Sequence, residues 1–256
     1  MSEIRLERGA TGVVTITIDR QHRRNAVTLD GWVELHRLFL EAARDTATRV
    51  LVLTGAGRSF CSGADLVDGL PPEHPLHVMQ TVNAAALALH ELPKPTIAMV
   101  NGDAAGGGMN LALCCDLVVA GESARFTQSF VRRGLSLDFG GSWLLPRLVG
   151  VQKAKELAYL GDILSARDAH ALGLVNRVVP DADLDGFVRD WAERIAAGPP
   201  LALRLDKKLL AGALQTGFAE ALDAEAAAQS VNLVSQDGRE GFAAFRQKRA
   251  PVFRGR

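Results

Sequence analysis

The stretch Asn101–Asn110 (NGDAAGGGMN), running into the apolar Leu111–Cys115, constrains this chain more than any other. Three consecutive glycines between a β-branched run and an apolar helical run let backbone approach another atom closely, with N–H groups turned outward. The positive end of the following helix falls at the same place, so negative charge developing there is stabilised. An oxyanion hole has this design. A phosphate cradle is the rival, but the Walker pattern requires Lys and then Ser or Thr after the loop, where Met109 and Asn110 stand. Close packing of helix on strand explains the same glycines without any ligand.

Composition narrows the partners. The chain has 256 residues, 48% of them hydrophobic, enough for one large or two modest domains with a sizeable core. Its 29 basic and 29 acidic residues cancel, which argues against nucleic acid or an anionic membrane as a main partner. Cys61, Cys114 and Cys115 are an odd count without metal-ligand spacing, and read as buried free thiols in a reducing compartment. Met1–Arg8 alternates charges and has no apolar signal core. Asn110 and Asp116 interrupt the longest weakly polar stretch, Ala104–Ala120, so no membrane span is expected and a cytoplasmic location is.

Strands are expected at Gly12–Asp19, Val50–Thr54, Thr96–Val100, Leu117–Ala120 and Leu174–Val179. Thr28 is placed to cap a helix over Leu29–Arg44 with Leu35, Leu38, Phe39 and Ala42 on one face. A loop at Gly69–Pro75 and a helix at His77–Glu91 follow, then two short helices at Gly140–Leu148 and Val151–Leu160, and a turn of helix capped by Ser165 and ended by Gly173. From Asp183 onward the pattern is helical: Asp183–Ala197, Pro200–Gly212, Phe218–Ser235 and Arg239–Arg249. The class is therefore α/β with an all-helical tail.

A second segment belongs with the glycines: Leu51–Leu66, LVLTGAGRSFCSGADL. Together with Val100–Asp116 it resembles the crotonase (enoyl-CoA hydratase/isomerase) superfamily, and the resemblance runs nearly end to end through Arg20–Ala26, Gln128–Gly150, Gly161–Val175 and Phe242–Phe253. The resemblance implies a crotonase-like spiral of ββα turns over residues 1–195, carrying the acyl-CoA site, and a C-terminal helical trimerisation region over residues 196–256. It places the oxyanion hole on the backbone N–H groups of Ala64 and Gly107, beside Gly106, where a thioester carbonyl would bind. It sets Ser62, Ala64, Asp65 and Leu66 in the adenine-binding region, Arg23 and Arg24 beside the CoA phosphates and pantetheine, and Lys248 on the nucleotide phosphates of a neighbouring subunit's ligand. The expected partner is an acyl-CoA substrate, the assembly a homotrimer or dimer of trimers, and no cofactor is expected beyond the coenzyme A of the substrate. The alternative for Arg23, Arg24 and Lys248 is that they are solvated surface charges.

The chain departs from the hydratase pattern at two places. Hydratases of this family carry glutamates at the positions of Asn110 and Phe130, and neither replacement can move a proton at neutral pH. Adding water needs a base to activate it and an acid to protonate C2. Asp138, in GLSLDFGG, instead falls where several isomerases of the family carry a catalytic aspartate, although those relatives commonly have Pro where Leu137 stands. A single carboxylate suits an isomerase, which moves one proton and needs no water. The alternative use of Asp138 is to cap the helix starting near Gly140.

Other candidates are weaker. Asp65 is expected to shape its loop and Asp116 to be structural. His22, His36, His74, His77, His90 and His170 lack metal-ligand spacing, with only His74 and His77 near the expected lid region of residues 67–82. An enoyl-CoA isomerase acting through Asp138 is thus the leading reading. Behind it stand a specialised hydratase drawing another base from residues 70–90, a catalytically silent acyl-CoA-binding protein and, last, nucleotide binding.

Overall fold

The computed structural model describes residues 3–65 and 73–256. In chain order the first half gives β1 (Ile4–Arg8), β2 (Val13–Ile18), α1 (Leu29–Arg44), β3 (Val50–Gly55), β4 (Ser59–Cys61), α2 (Pro75–His90), β5 (Thr96–Val100), β6 (Asp103–Ala105) and α3 (Gly107–Leu113). The second half gives β7 (Leu117–Gly121), β8 (Arg125–Thr127), α4 (Gly141–Leu160), β9 (Leu164–Ser165), α5 (Ala166–Ala171) and β10 (Arg177–Val179). It ends in α6 (Leu184–Ala196), α7 (Pro200–Gly212), α8 (Phe218–Val234) and α9 (Gln236–Gln247).

The long strands make a six-stranded sheet in the order β1-β2-β3-β5-β7-β10, parallel except for the β1–β2 hairpin. The short ones make a second sheet, β4-β6-β8-β9. Each coil of the chain lays one strand in the large sheet and one in the small sheet and then forms a helix, as in β3–β4–α2 and β5–β6–α3. These are the ββα turns expected for the spiral.

β3 shows why the large sheet is central. Its Leu51 and Leu53 pack into the main core with α1 and α2, while Val50 and Val52 meet Leu184, Val188 and Ala192 of α6 on the other face. A strand buried on both faces reads as an unbroken apolar run. Helix α1 begins where the sequence places it: Thr28 Oγ1 accepts from the Gly31 N–H at 3.1 Å, and the expected buried face is present with Trp32 added. Ser165 caps α5 in a reciprocal capping box with Asp168. Gly150, at φ 76° and ψ 158°, breaks α4 into the two helices expected there.

Three features differ from the expectation. Charged Met1–Arg8 contains an edge strand, β1, whose Ile4 is paired opposite Ile18; alternating charges are a usual guard for an edge. The small sheet was not expected, because two- and three-residue strands carry too little period-2 signal. The last strand starts only at Arg177, since Leu174 and Val175 are core residues of the preceding loop. The expected loop at Gly69–Pro75 lies mostly outside the described residues.

Candidate active site

Pairing in the small sheet assembles the site. Parallel pairing of β4 with β6 (Cys61 opposite Ala104) and of β6 with β8 (Ala105 opposite Thr127) brings three strand ends out side by side. The segments that follow, from Ser62, Gly106 and Gln128, therefore converge at the carboxyl edge of a parallel sheet, the usual place for a ligand crevice.

The first of them is held flat. Val27 N–H donates to the Gly63 carbonyl at 2.8 Å and Asp65 N–H donates to the Val27 carbonyl at 2.9 Å. Ala64 N–H between them has no acceptor among the described residues. Asp65 is secured by a buried ion pair with Arg20, which also reaches Glu3, so the expectation that Asp65 shapes its loop is met. Gly107 opens α3, where an N–H has no intrahelical acceptor. The two segments touch: a Cβ on Gly63 would stand 3.3 Å from the Gly107 nitrogen.

The glycine triplet divides its labour. Gly106, at φ 54° and ψ −123°, holds a conformation that only glycine adopts readily. Gly107 faces the cavity. A Cβ on Gly108 would collide with the Cys61 carbonyl, so for this third glycine close helix–strand packing is the right explanation.

Asp138 completes the arrangement. Phe139 (φ 45°) and Gly140 (φ 76°) turn the chain sharply, and the Asp138 carbonyl accepts from Asn110 Nδ2 at 2.8 Å and from Gly141 N–H at 2.9 Å. The side chain makes no cap: α4 is preceded by Gly140 and has no side-chain hydrogen bond at its start. Instead Asp138 Oδ1 lies 3.2 Å from where a Cβ of Gly107 would be, buried and without a partner. Burial alone pushes the carboxyl up to about 6.

Ala64, Gly107 and Asp138 all line one cavity of about 670 Å³. Of the expected contacts, Arg23, Arg24, Ser62, Asp65, Gly106 and Phe130 also line it. Two do not join them. Asn110 is fully buried behind the wall; its Nδ2 is spent on Asp138 and its Oδ1 accepts from Gln128 Nε2 at 2.8 Å, so it braces the Asp138 segment and cannot meet substrate. Lys248 ends α9 at φ 53° and is no part of this chain's cavity wall. Leu66 lies outside the described residues. His74 and His77, at the start of α2, do not line the cavity either.

The sequence reading missed Trp32 and Arg133, both in the cavity wall. Trp32 was legible, standing three residues before Leu35 on the same helical face. Cys61 is buried with its thiol pushed up to about 12, which rules against a nucleophile. Asp116 is structural, accepting from the Thr96 N–H at 2.8 Å and paired with Lys207.

Comparison with known proteins decides the family. The model of the enoyl-CoA hydratase/isomerase family matches residues 8–256. The chain belongs to that family. Among its relatives, a 1,2-epoxyphenylacetyl-CoA isomerase of Escherichia coli (strain K12) is 39% identical over the full length of both chains. A probable enoyl-CoA hydratase of Rhodobacter capsulatus is 41% identical, covering 96% of this chain and 95% of the relative. The crystal structure of an enoyl-CoA hydratase from Bacillus anthracis superposes with a TM-score of 0.95 at 35% identity, covering 100% of both chains. The spiral is thus the crotonase fold, and the protein is an acyl-CoA enzyme of this family.

Proposed function

We propose that the protein is an enoyl-CoA isomerase that shifts a double bond by carrying one proton on Asp138. The observation that supports this reading is the Asp138 carboxylate, turned into the cavity beside Gly107 and not used as a helix cap. With a 3-enoyl thioester bound through its carbonyl oxygen to the N–H groups of Ala64 and Gly107, the ionised carboxylate removes a proton from C2. The C2–H electrons pass into a dienolate whose charge rests on the thioester oxygen, where two preorganised donors stabilise it. The Asp138 carboxylic acid then returns the proton at C4, leaving the 2-enoyl thioester. A carboxyl that titrates near 6 is suited to both halves of this exchange at neutral pH. The exposed Arg24 and Arg133 and half-buried Arg23 supply cationic lining for the coenzyme A phosphates.

The Rhodobacter capsulatus relative, a probable enoyl-CoA hydratase, favours a second reading, a hydratase. Asn110 and Phe130 stand where that chemistry keeps its glutamates. Among the described cavity residues the remaining carboxylates are Asp65, held by Arg20, and Glu73. Among the described residues Glu73 is thus the carboxylate left for hydration to recruit. Turnover of 3-enoyl-, 2-enoyl- and cyclic-epoxide CoA thioesters by wild type, Asp138→Asn and Glu73→Gln separates the two. The isomerase reading expects double-bond shift that depends on Asp138 and not on Glu73; hydration of 2-enoyl-CoA that depends on Glu73 would replace it, and coenzyme A binding without turnover would leave only a binding protein.

The assembly is part of the proposal. Phe245, Phe218 and Leu210 on the last three helices are 84%, 81% and 74% exposed. Burying them between copies of the chain, as a trimer or a dimer of trimers, removes that surface from water and brings Lys248, three residues beyond Phe245, towards a neighbouring subunit.

A further inference from the structure

Two polar side-chain atoms in the cavity residues are buried without a hydrogen-bond partner, and they are complementary. Trp32 Nε1 is a donor; Asp138 Oδ1 is an acceptor. Buried groups of this kind are rare in folded proteins, and each is costly when left unpaired. Their residues are linked by packing: the Trp32 ring lies 5.1 Å from the ring of Phe139, the residue after Asp138, at an interplanar angle of 37°. Phe139 reaches that contact in the left-handed region, at φ 45°, uncommon for a bulky residue. Trp32 is itself only 2% exposed.

We infer that Trp32 is a positioning residue for Asp138, its indole N–H donating to Oδ1 when the carboxylate is ionised and holding the other oxygen towards the reacting carbon. The inference rests on reading Asp138 as the proton carrier. Among the described residues, helix α1 contributes Trp32, the start of α3 contributes the uncharged Gly107, and Asp138's own segment contributes Arg133; the other charged lining residues are Arg23, Arg24, Asp65 and Glu73. None of these charged groups accounts for the displacement of the Asp138 carboxyl, which burial pushes up. The neutral indole is therefore the available means of favouring the charged form.

The test reads the pair directly. With ¹⁵N-labelled tryptophan in the full chain, the Trp32 indole resonance is followed from about pH 4 to about pH 8, a window spanning the ordinary and displaced carboxyl ranges. Assignment comes from Trp143→Phe and Trp191→Phe, which alter half-buried rings outside the cavity. The Trp32 signal is expected to titrate with a midpoint near that of Asp138, and Asp138→Asn is expected to abolish the titration. A signal that is flat with pH, or that titrates unchanged in Asp138→Asn, overturns the inference. Because this readout needs no turnover, an inactive wild type would count against the isomerase reading and leave the pairing to be decided on its own. In the pH–rate profile, Trp32→Phe is expected to move the acid limb to higher pH and lower kcat roughly tenfold with KM little changed, the loss of one hydrogen bond to a charged group. An unmoved limb in a folded Trp32→Phe enzyme contradicts it.

Discussion

Asp138 carries a cost to the fold that its chemistry explains. Its carboxyl is pushed up to about 6 by burial, against an ordinary value near 3.9. Below about pH 4 it is protonated folded and unfolded alike, and contributes nothing to the pH dependence. As pH rises towards 6 the unfolded chain ionises first, so stability falls; above 6 the full penalty remains, on the order of 3 kcal/mol. Asp138→Asn removes it. The variant is expected to melt higher than wild type at about pH 8 and nearly the same at about pH 4, measured by calorimetry, while losing activity. Wild-type turnover is expected to rise with pH through about 6, because the first step needs the ionised carboxylate.

The start of α3 separates site from scaffold within two residues. A methyl on Gly107 meets Asp138 Oδ1 at 3.2 Å, whereas one on Gly108 collides with the Cys61 backbone. Gly107→Ala is therefore expected to fold with a near-native melting temperature and lose turnover by 10-fold or more, on the order of 1.4 kcal/mol in the barrier. Gly108→Ala is expected to lose several kcal/mol of stability, seen in denaturant unfolding. Equal behaviour of the two would undo this division. At the scale of elements the sequence was most readable where a side chain caps a helix or a long run fills a face: Thr28, Ser165 and Val50–Thr54 all announced their elements. The small sheet was hidden because Ser59–Cys61 and Asp103–Ala105 are too short to show a period, although it sets the site. Asn110 was misread for a related reason. Its absence of charge was legible, but that both its polar atoms are spent inside the protein depends on Gln128 and Asp138, distant in sequence.

At the scale of the whole molecule, the spiral keeps the proposed oxyanion donors and the carboxylate on separate segments fixed by one small sheet, while the last helices carry apolar surface outward. Sedimentation equilibrium is expected to give three or six times the chain mass, and Phe245→Glu to lower it; a wild-type monomer at micromolar concentration would refute the proposed assembly. The assembled enzyme also offers the most direct test of the central claim. Wild type and Asp138→Asn are compared with saturating 3-enoyl-CoA, following formation of the 2-enoyl product and binding of the thioester separately. The expected result is a loss of roughly 10²–10⁴-fold in kcat with binding retained, the range for removing a positioned acid–base group. Double-bond shift by Asp138→Asn at a rate close to wild type would contradict the account.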